Sequence, residues 1–216
     1  LITEWRRHHP DWVICISTTT RTGYELAQER FPNQSVFYAP LDFSWAVAAT
    51  MRRIRPALLV LVELELWPNL IGSAVRQNVG IAVVNGRMSD RSMRGYRWIR
   101  PWTSRLLQSI DLVAVQNEEY ASRFIELGAR PDTVQVTGSV KFDGAETDRQ
   151  NAATRRLAGL AGLMSGDQVF LAGSTQRGEE AAAISAFRKL HARHSSLRLI
   201  LVPRHPERFQ EVADLL

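Results

Sequence analysis

Eight short, mostly continuous apolar runs alternate with amphipathic stretches along this chain, and that alternation constrains the fold more than any other feature. The runs are Val13–Ser17, Val36–Tyr38, Ala57–Val62, Ile81–Asn85, Leu112–Val115, Val134–Thr137, Val169–Ala172 and Leu197–Val202. Strands buried on both faces read this way, because helices cover a parallel sheet from either side. The intervening segments Thr22–Arg30, Ser44–Arg53, Pro68–Gln77, Trp98–Gln108, Glu118–Leu127 and Arg177–Arg193 carry helical periodicity. Gly80 and Gly128 stand where helix stops are expected.

Repeated strand–helix units predict an α/β fold with doubly wound parallel sheets. The rhythm breaks between Gly138 and Gly166, where the polar stretch Asp143–Asp148 precedes a single amphipathic segment. The reading is therefore a Rossmann-like domain over residues 1–142, a linker and domain opening over 143–166, and a partial second Rossmann-like domain over 167–216. The chain opens on Leu1 and closes inside a helical pattern from Pro206 to Leu216. Further sequence is expected at both ends.

Composition narrows the function classes. A single cysteine, Cys15, excludes a disulfide framework and a cysteine metal cluster. No run approaches the ~20 apolar residues of a membrane span, and Arg6, Arg7, His8 and His9 occupy the place of a signal-peptide core. The net charge of +5 is compatible with nucleic acid, an anionic membrane or a phosphorylated substrate, and selects none of them.

In open α/β sheets ligands bind beyond the carboxyl ends of the strands, so the loops there hold the candidate residues. The first, Ser17–Gly23, offers hydroxyls and free N–H groups that suit a sugar or anion, with Thr20 as the candidate; simple N-capping is the alternative. The second, Glu63-Leu64-Glu65-Leu66-Trp67-Pro68-Asn69, sets two carboxylates at the end of a buried strand, where they are costly unless partnered or used. Pro68 fits the first turn of a helix. The third, Asn85 to Trp102, interleaves arginines with aromatics. Arg87, Arg91 and Arg94 lie nearest the strand end and suit phosphate groups, while a solvated helix face explains the remainder.

The fourth loop, Thr137-Gly138-Ser139-Val140-Lys141-Phe142-Asp143, carries Lys141, which is placed either to neutralise developing negative charge or simply to face solvent. In the second domain Gly173-Ser174-Thr175 and Pro203-Arg204-His205 each follow a strand and open a helix, the arrangement for a phosphate-bearing donor. Neither is a Walker or dinucleotide fingerprint. His191 and His194 lack an acidic neighbour, and no metal site is expected.

In order and spacing, E-x-E-L-W-P-N, N-G-R-M-S-D-R-S-x-R-G-Y, V-T-G-S-V-K-F-D, G-S-T-x-x-G-E-E and L-V-P-R-H-P-E-R-F together resemble the 3-deoxy-D-manno-octulosonic acid (Kdo) transferases of lipid A assembly. The resemblance runs from Thr18 to Arg208. It implies a GT-B fold of two Rossmann-like domains, the second truncated here, and transfer of Kdo from CMP-Kdo to a lipid A precursor at the cytoplasmic face of the inner membrane. It further implies that Glu65 and Lys141 are catalytic and that Pro203 and Arg204 contact CMP, with Ser174 and Thr175 as helpers. The acceptor would meet Thr20, Arg87, Arg91 and Arg94. The family's proposed base, a glutamate, would precede Leu1, and further CMP-contacting motifs would follow Leu216. The chain by itself is therefore expected to be inactive.

The implied chemistry is an inverting displacement. An acceptor hydroxyl attacks the anomeric carbon of Kdo while CMP departs as an anion, a leaving group that needs no metal or other cofactor in principle. Trp98 or Trp102 would meet acyl chains or the bilayer. Another GT-B glycosyltransferase or a sugar-nucleotide epimerase remains open, since fold does not fix function. A non-catalytic nucleic-acid binder ranks below these, because the strand-end carboxylates would repel phosphates; no nucleic-acid partner is expected.

Overall fold

The computed structural model describes residues 1–148 and 150–216. It divides into two compact units, Leu1–Ala145 and Glu146–Leu216. In the first unit the elements run α1 (Ile2–His8), β1 (Cys15–Thr18), α2 (Arg21–Arg30), β2 (Ser35–Tyr38), α3 (Ser44–Ile54), β3 (Leu58–Val62), α4 (Pro68–Arg76), β4 (Gly80–Gly86), α5 (Asp90–Trp98), α6 (Arg100–Gln108), β5 (Leu112–Val115), α7 (Glu118–Leu127) and β6 (Val134–Val136). The second unit contains α8 (Ala152–Leu160), β7 (Gln168–Thr175), α9 (Glu179–His191), β8 (Leu197–Pro203) and α10 (Phe209–Ala213).

All strand pairs are parallel. Strands β3, β4, β5 and β6 form one sheet in sequence order, while β1–β2 and β7–β8 are separate pairs. Helices α3, α4, α6 and α7 likewise touch in succession. The core begins at Val47 and centres on Ile71, Val83, Met88, Leu107, Val113, Val115, Phe124 and Leu127, all fully enclosed or nearly so. Consecutive burial along β4 and β5 shows cover on both faces. Strand β3 departs from that expectation: Leu61 is buried while Val60 and Val62 are exposed, so one face is open. The β1–β2 pair is separate from the main sheet and contributes no residue to the core.

Two further expectations are corrected. Gly80 starts β4 rather than stopping α4; Asn78, left-handed at φ 54°, makes the turn. The Asn85–Trp102 segment is not one loop followed by one helix. Ser89 caps a separate helix, α5, by accepting from the Ser92 N–H at 3.2 Å. That helix buries Met93 and ends at Ile99, because Pro101 in the first turn of α6 cannot donate back into a continuous helix. Gly128 does close α7, at φ 111°.

Candidate functional site

Four of the eight strands share a backbone feature at their carboxyl ends. Glu63 after β3 (φ 64°), Asn85 in β4 (φ 55°), Gly138 after β6 (φ 83°) and Ser174 in β7 (φ 58°) are all left-handed. Three of them carry a side chain, and such residues cluster at sites where surrounding structure holds them.

In the first unit, the Glu63 N–H continues the ladder to the Val84 carbonyl at 2.9 Å. Its carboxylate accepts from Arg87, 2.7 Å from Nη2 and 3.0 Å from Nε. Glu65 is exposed and accepts from the Trp67 indole N–H at 2.6 Å. The Tyr96 phenol, half-enclosed, has its pKa raised by burial and then by the negative charge of Glu65. Pro68 opens α4 as anticipated. Asp42 supplies a distant cap for that helix, accepting from the N–H groups of Asn69 at 3.0 Å and Leu70 at 2.9 Å.

Asn85 is buried and joins three strand ends. Its Oδ1 accepts from Gln116 Nε2 at 3.1 Å and from the Val140 N–H at 3.3 Å, and its carbonyl accepts from the same Gln116 amide at 3.1 Å. Lys141, exposed, sits in a short 3-10 turn, Val140–Phe142. The structure thus connects the Arg87 and Lys141 motifs through Asn85, and the Glu63 and Arg87 motifs through an ion pair. Arg91 and Arg94 are exposed on α5. The ion pairs of this segment involve Arg87, Arg97 and Asp90, leaving Arg91 and Arg94 unpaired among the described residues. Arg123 of α7 anchors the segment, donating to the Met88 carbonyl and to the carboxylates of Asp90 and Glu119. Thr20 caps α2, accepting from the Gly23 N–H at 3.1 Å, so the capping role is the one the structure displays.

In the second unit, Thr175 pairs in register with Pro203, so the two strand-end motifs are adjacent. The Thr175 carbonyl accepts from the Arg204 N–H at 3.0 Å. A cleft here is lined by Gln176, Arg177, Arg204, His205, Arg208 and Glu211. Beneath it, fully buried Glu180 accepts from Arg208 Nη1 at 2.8 Å. Hydrogen bonding to Arg208 holds the Glu180 carboxyl far below the usual carboxylate range, at about 2. Glu211 is lowered too, by Arg208 and then Arg177. Glu180 Oε2, Arg208 Nε and Thr175 Oγ1 are buried without a partner. Among the described residues no group of three or more His, Cys, Asp or Glu is arranged to hold a metal ion, and no helix is long and apolar enough to cross a membrane.

Sequence reasoning did not single out Asp42, Asn85, Arg123 or the Glu180–Arg208 pair. Asn85 had a signal, since Asn followed by Gly at a strand end favours a left-handed backbone. Asp42 had none, because its partner lies 27 residues away, and for Arg123 the sequence offers only the pair with Glu119 four residues earlier, not the Met88 carbonyl 35 residues away.

Residues 1–144 match the family model described as 3-deoxy-D-manno-octulosonic-acid transferase (kdotransferase). A 3-deoxy-D-manno-octulosonic acid transferase of Haemophilus influenzae is 34% identical over 219 residues, covering 100% of this chain and 50% of that protein. A bifunctional glycosyltransferase/methyltransferase of Fusobacterium nucleatum is 35% identical over 94% of this chain and 31% of its own length. Among solved structures, UDP-GlcNAc 2-epimerase from Neisseria meningitidis, bound to UDP-GlcNAc, has a TM-score of 0.57 at 13% identity, covering 100% of this chain and 64% of that one. That likeness shows the GT-B type of fold alone. The chain spans 50% of the length of the Haemophilus relative and 31% of that of the Fusobacterium one. By the family match and the full-chain identity, the chain belongs to the 3-deoxy-D-manno-octulosonic-acid transferase family.

Proposed function

We propose that the protein containing this chain transfers Kdo from CMP-Kdo to a phosphorylated, acylated lipid A precursor at the cytoplasmic face of the inner membrane. The observation that carries the proposal is the tying together of the family's strand-end motifs in the first unit, through Glu63–Arg87 and through Asn85.

In this reading an acceptor hydroxyl oxygen forms the new bond to the anomeric carbon of Kdo. The bond from that carbon to the CMP phosphate oxygen breaks, and the hydroxyl proton passes to a base. Glu65 and Lys141 act on the developing charges. Arg91 and Arg94, with no competing carboxylate, bind acceptor phosphates. In the second unit Arg204 and Arg177 line the cleft and meet the CMP phosphate, with Ser174, Thr175 and Pro203 at the adjoining strand ends as further donor contacts. Exposed Trp98, Ile99 and Trp102, beside Arg97 and Arg100, suit a bilayer surface or acyl chains.

Nucleotide protection tests the donor assignment in a protein of the relatives' full length that carries this chain. CMP at about 100 times its Kd adds roughly 2.7 kcal/mol of stability, with UDP giving none. The reverse order would replace Kdo transfer by UDP-sugar chemistry of the kind named for the Neisseria neighbour.

A further inference from the structure

We propose that Asn85 is a positioning residue for Lys141, holding the lysine's turn at the distance the reaction requires. The inference rests on the reading that Lys141 takes part in transfer.

The turn that carries Lys141 has little to hold it. Val140 and Phe142 are exposed, Phe142 at 76%, so apolar packing contributes little. Its local bonds are all short-range: the Phe142 N–H to the Ser139 carbonyl at 3.1 Å, the Asp143 N–H to the Val140 carbonyl at 3.3 Å, the Ala145 N–H to the Phe142 carbonyl at 3.1 Å, and a 3.5 Å contact from the Lys141 N–H to Ser139 Oγ. Within residues 139–142, the single hydrogen bond to a distant part of the chain, among the described residues, is from the Val140 N–H to Asn85 Oδ1.

Asn85 is itself built for the task. A left-handed residue at φ 55° would be accommodated without steric cost by glycine; the asparagine brings a side chain, and that side chain is used. Oδ1 takes the Val140 and Gln116 donors together, and Gln116 orients it by bonding the Asn85 carbonyl as well. The next residue, Gly86, lets the strand end press against β5: an added Cβ would lie 3.0 Å from Val115 Cγ1 and 3.2 Å from the Ala114 carbonyl. The end of β4, the end of β5 and the lysine turn are thus one hydrogen-bonded unit centred on a single buried atom.

The test uses Asn85→Gly, which keeps the backbone conformation and removes Oδ1, and Asn85→Asp, which keeps an acceptor and tolerates the left-handed region. Both are made in a protein of the relatives' full length that carries this chain. Expected is a fall in kcat of about tenfold to a hundredfold for Asn85→Gly, the scale of a small misplacement, with recovery in Asn85→Asp. Lys141→Ala and Asn85→Gly/Lys141→Ala should then match within about twofold, because residues acting through one group are not additive. Deuterium exchange of the peptide spanning 137–142 should quicken in Asn85→Gly and return in Asn85→Asp. Additive losses in the double variant, or unchanged kcat in Asn85→Gly, would overturn the proposal. If the parent protein transfers no Kdo, the functional reading falls separately. Exchange at 137–142 then decides alone whether Asn85 holds the turn, and unchanged exchange rejects it.

Discussion

Arg87, following β4, is locked to Glu63, following β3, with Nη2 2.7 Å from the Glu63 carboxylate. The pair is half exposed, with side chains 52% and 35% accessible, so its net contribution is small, on the order of 1 kcal/mol or less. Arg87→Ala should therefore shift the thermal midpoint by only a few degrees. A loss of several kcal/mol in denaturant unfolding would mean the pair does more than tie two loops.

The unpaired arginines of α5 are predicted to bind the acceptor. Reversing the charge of both, Arg91→Glu with Arg94→Glu, should raise the acceptor KM by about tenfold or more while the donor KM stays within about twofold, since each lost charged contact is worth roughly 1–3 kcal/mol. The same reversal at Arg87 should have the weaker effect, because Arg87 is already engaged by Glu63. Equal changes in both KM values would remove the acceptor assignment.

Acid should loosen the second unit through Glu180. Its folded pKa of about 2 lies below the ordinary value of 4.5, so the native state binds fewer protons than the unfolded state. The stabilisation is fully present above pH 4.5 and is lost as pH falls towards 2. All the tryptophans lie in the first unit, so their fluorescence does not report on this change. Deuterium-exchange protection of peptides from 176 to 208, taken relative to the intrinsic amide rate at each pH, should fall as pH is lowered across that window, and Glu180→Gln should flatten the pH dependence. An unchanged profile in that variant would assign the acid sensitivity elsewhere.

Gly128→Ala should destabilise the first unit by more than about 1 kcal/mol. The residue is left-handed at φ 111°, and an added Cβ would fall 2.2 Å from Ser104 Oγ and 3.0 Å from the Ser104 Cα. The contact with backbone leaves little room to relax. Denaturant unfolding followed by tryptophan fluorescence measures it, and a neutral result would mean α6 shifts freely against α7.

The strands and most helices were legible because their apolar runs are continuous, with burial on both faces behind those of β4 and β5, and Glu118–Leu127 ends on a glycine that permits its turn. Helix α5 was not legible: Arg91, Arg94, Gly95 and Arg97 leave Met93 as its one buried apolar residue, too few to establish a helical period. The open face of β3 was also hidden, since Val60 and Val62 look like core residues until their neighbours are known. For the site, residue types and strand ends pointed to the Glu63 and Glu65 pair, Arg87, Lys141 and Arg204, and the family resemblance selected Glu65. What sequence could not convey is which polar side chains meet. Asn85 and Val140 are 55 residues apart, and Glu180 and Arg208 are 28 apart; tertiary folding alone joins them.

The most direct test of the central claim is Kdo transfer from CMP-Kdo to a lipid A precursor by a protein of the relatives' full length carrying this chain, beside its Glu65→Ala variant. The account predicts transfer in the parent and a loss of about a hundredfold or more in the variant, the scale of removing a group that stabilises transition-state charge. A folded parent that transfers no Kdo would contradict the account, and full activity in Glu65→Ala would take that carboxylate out of the chemistry.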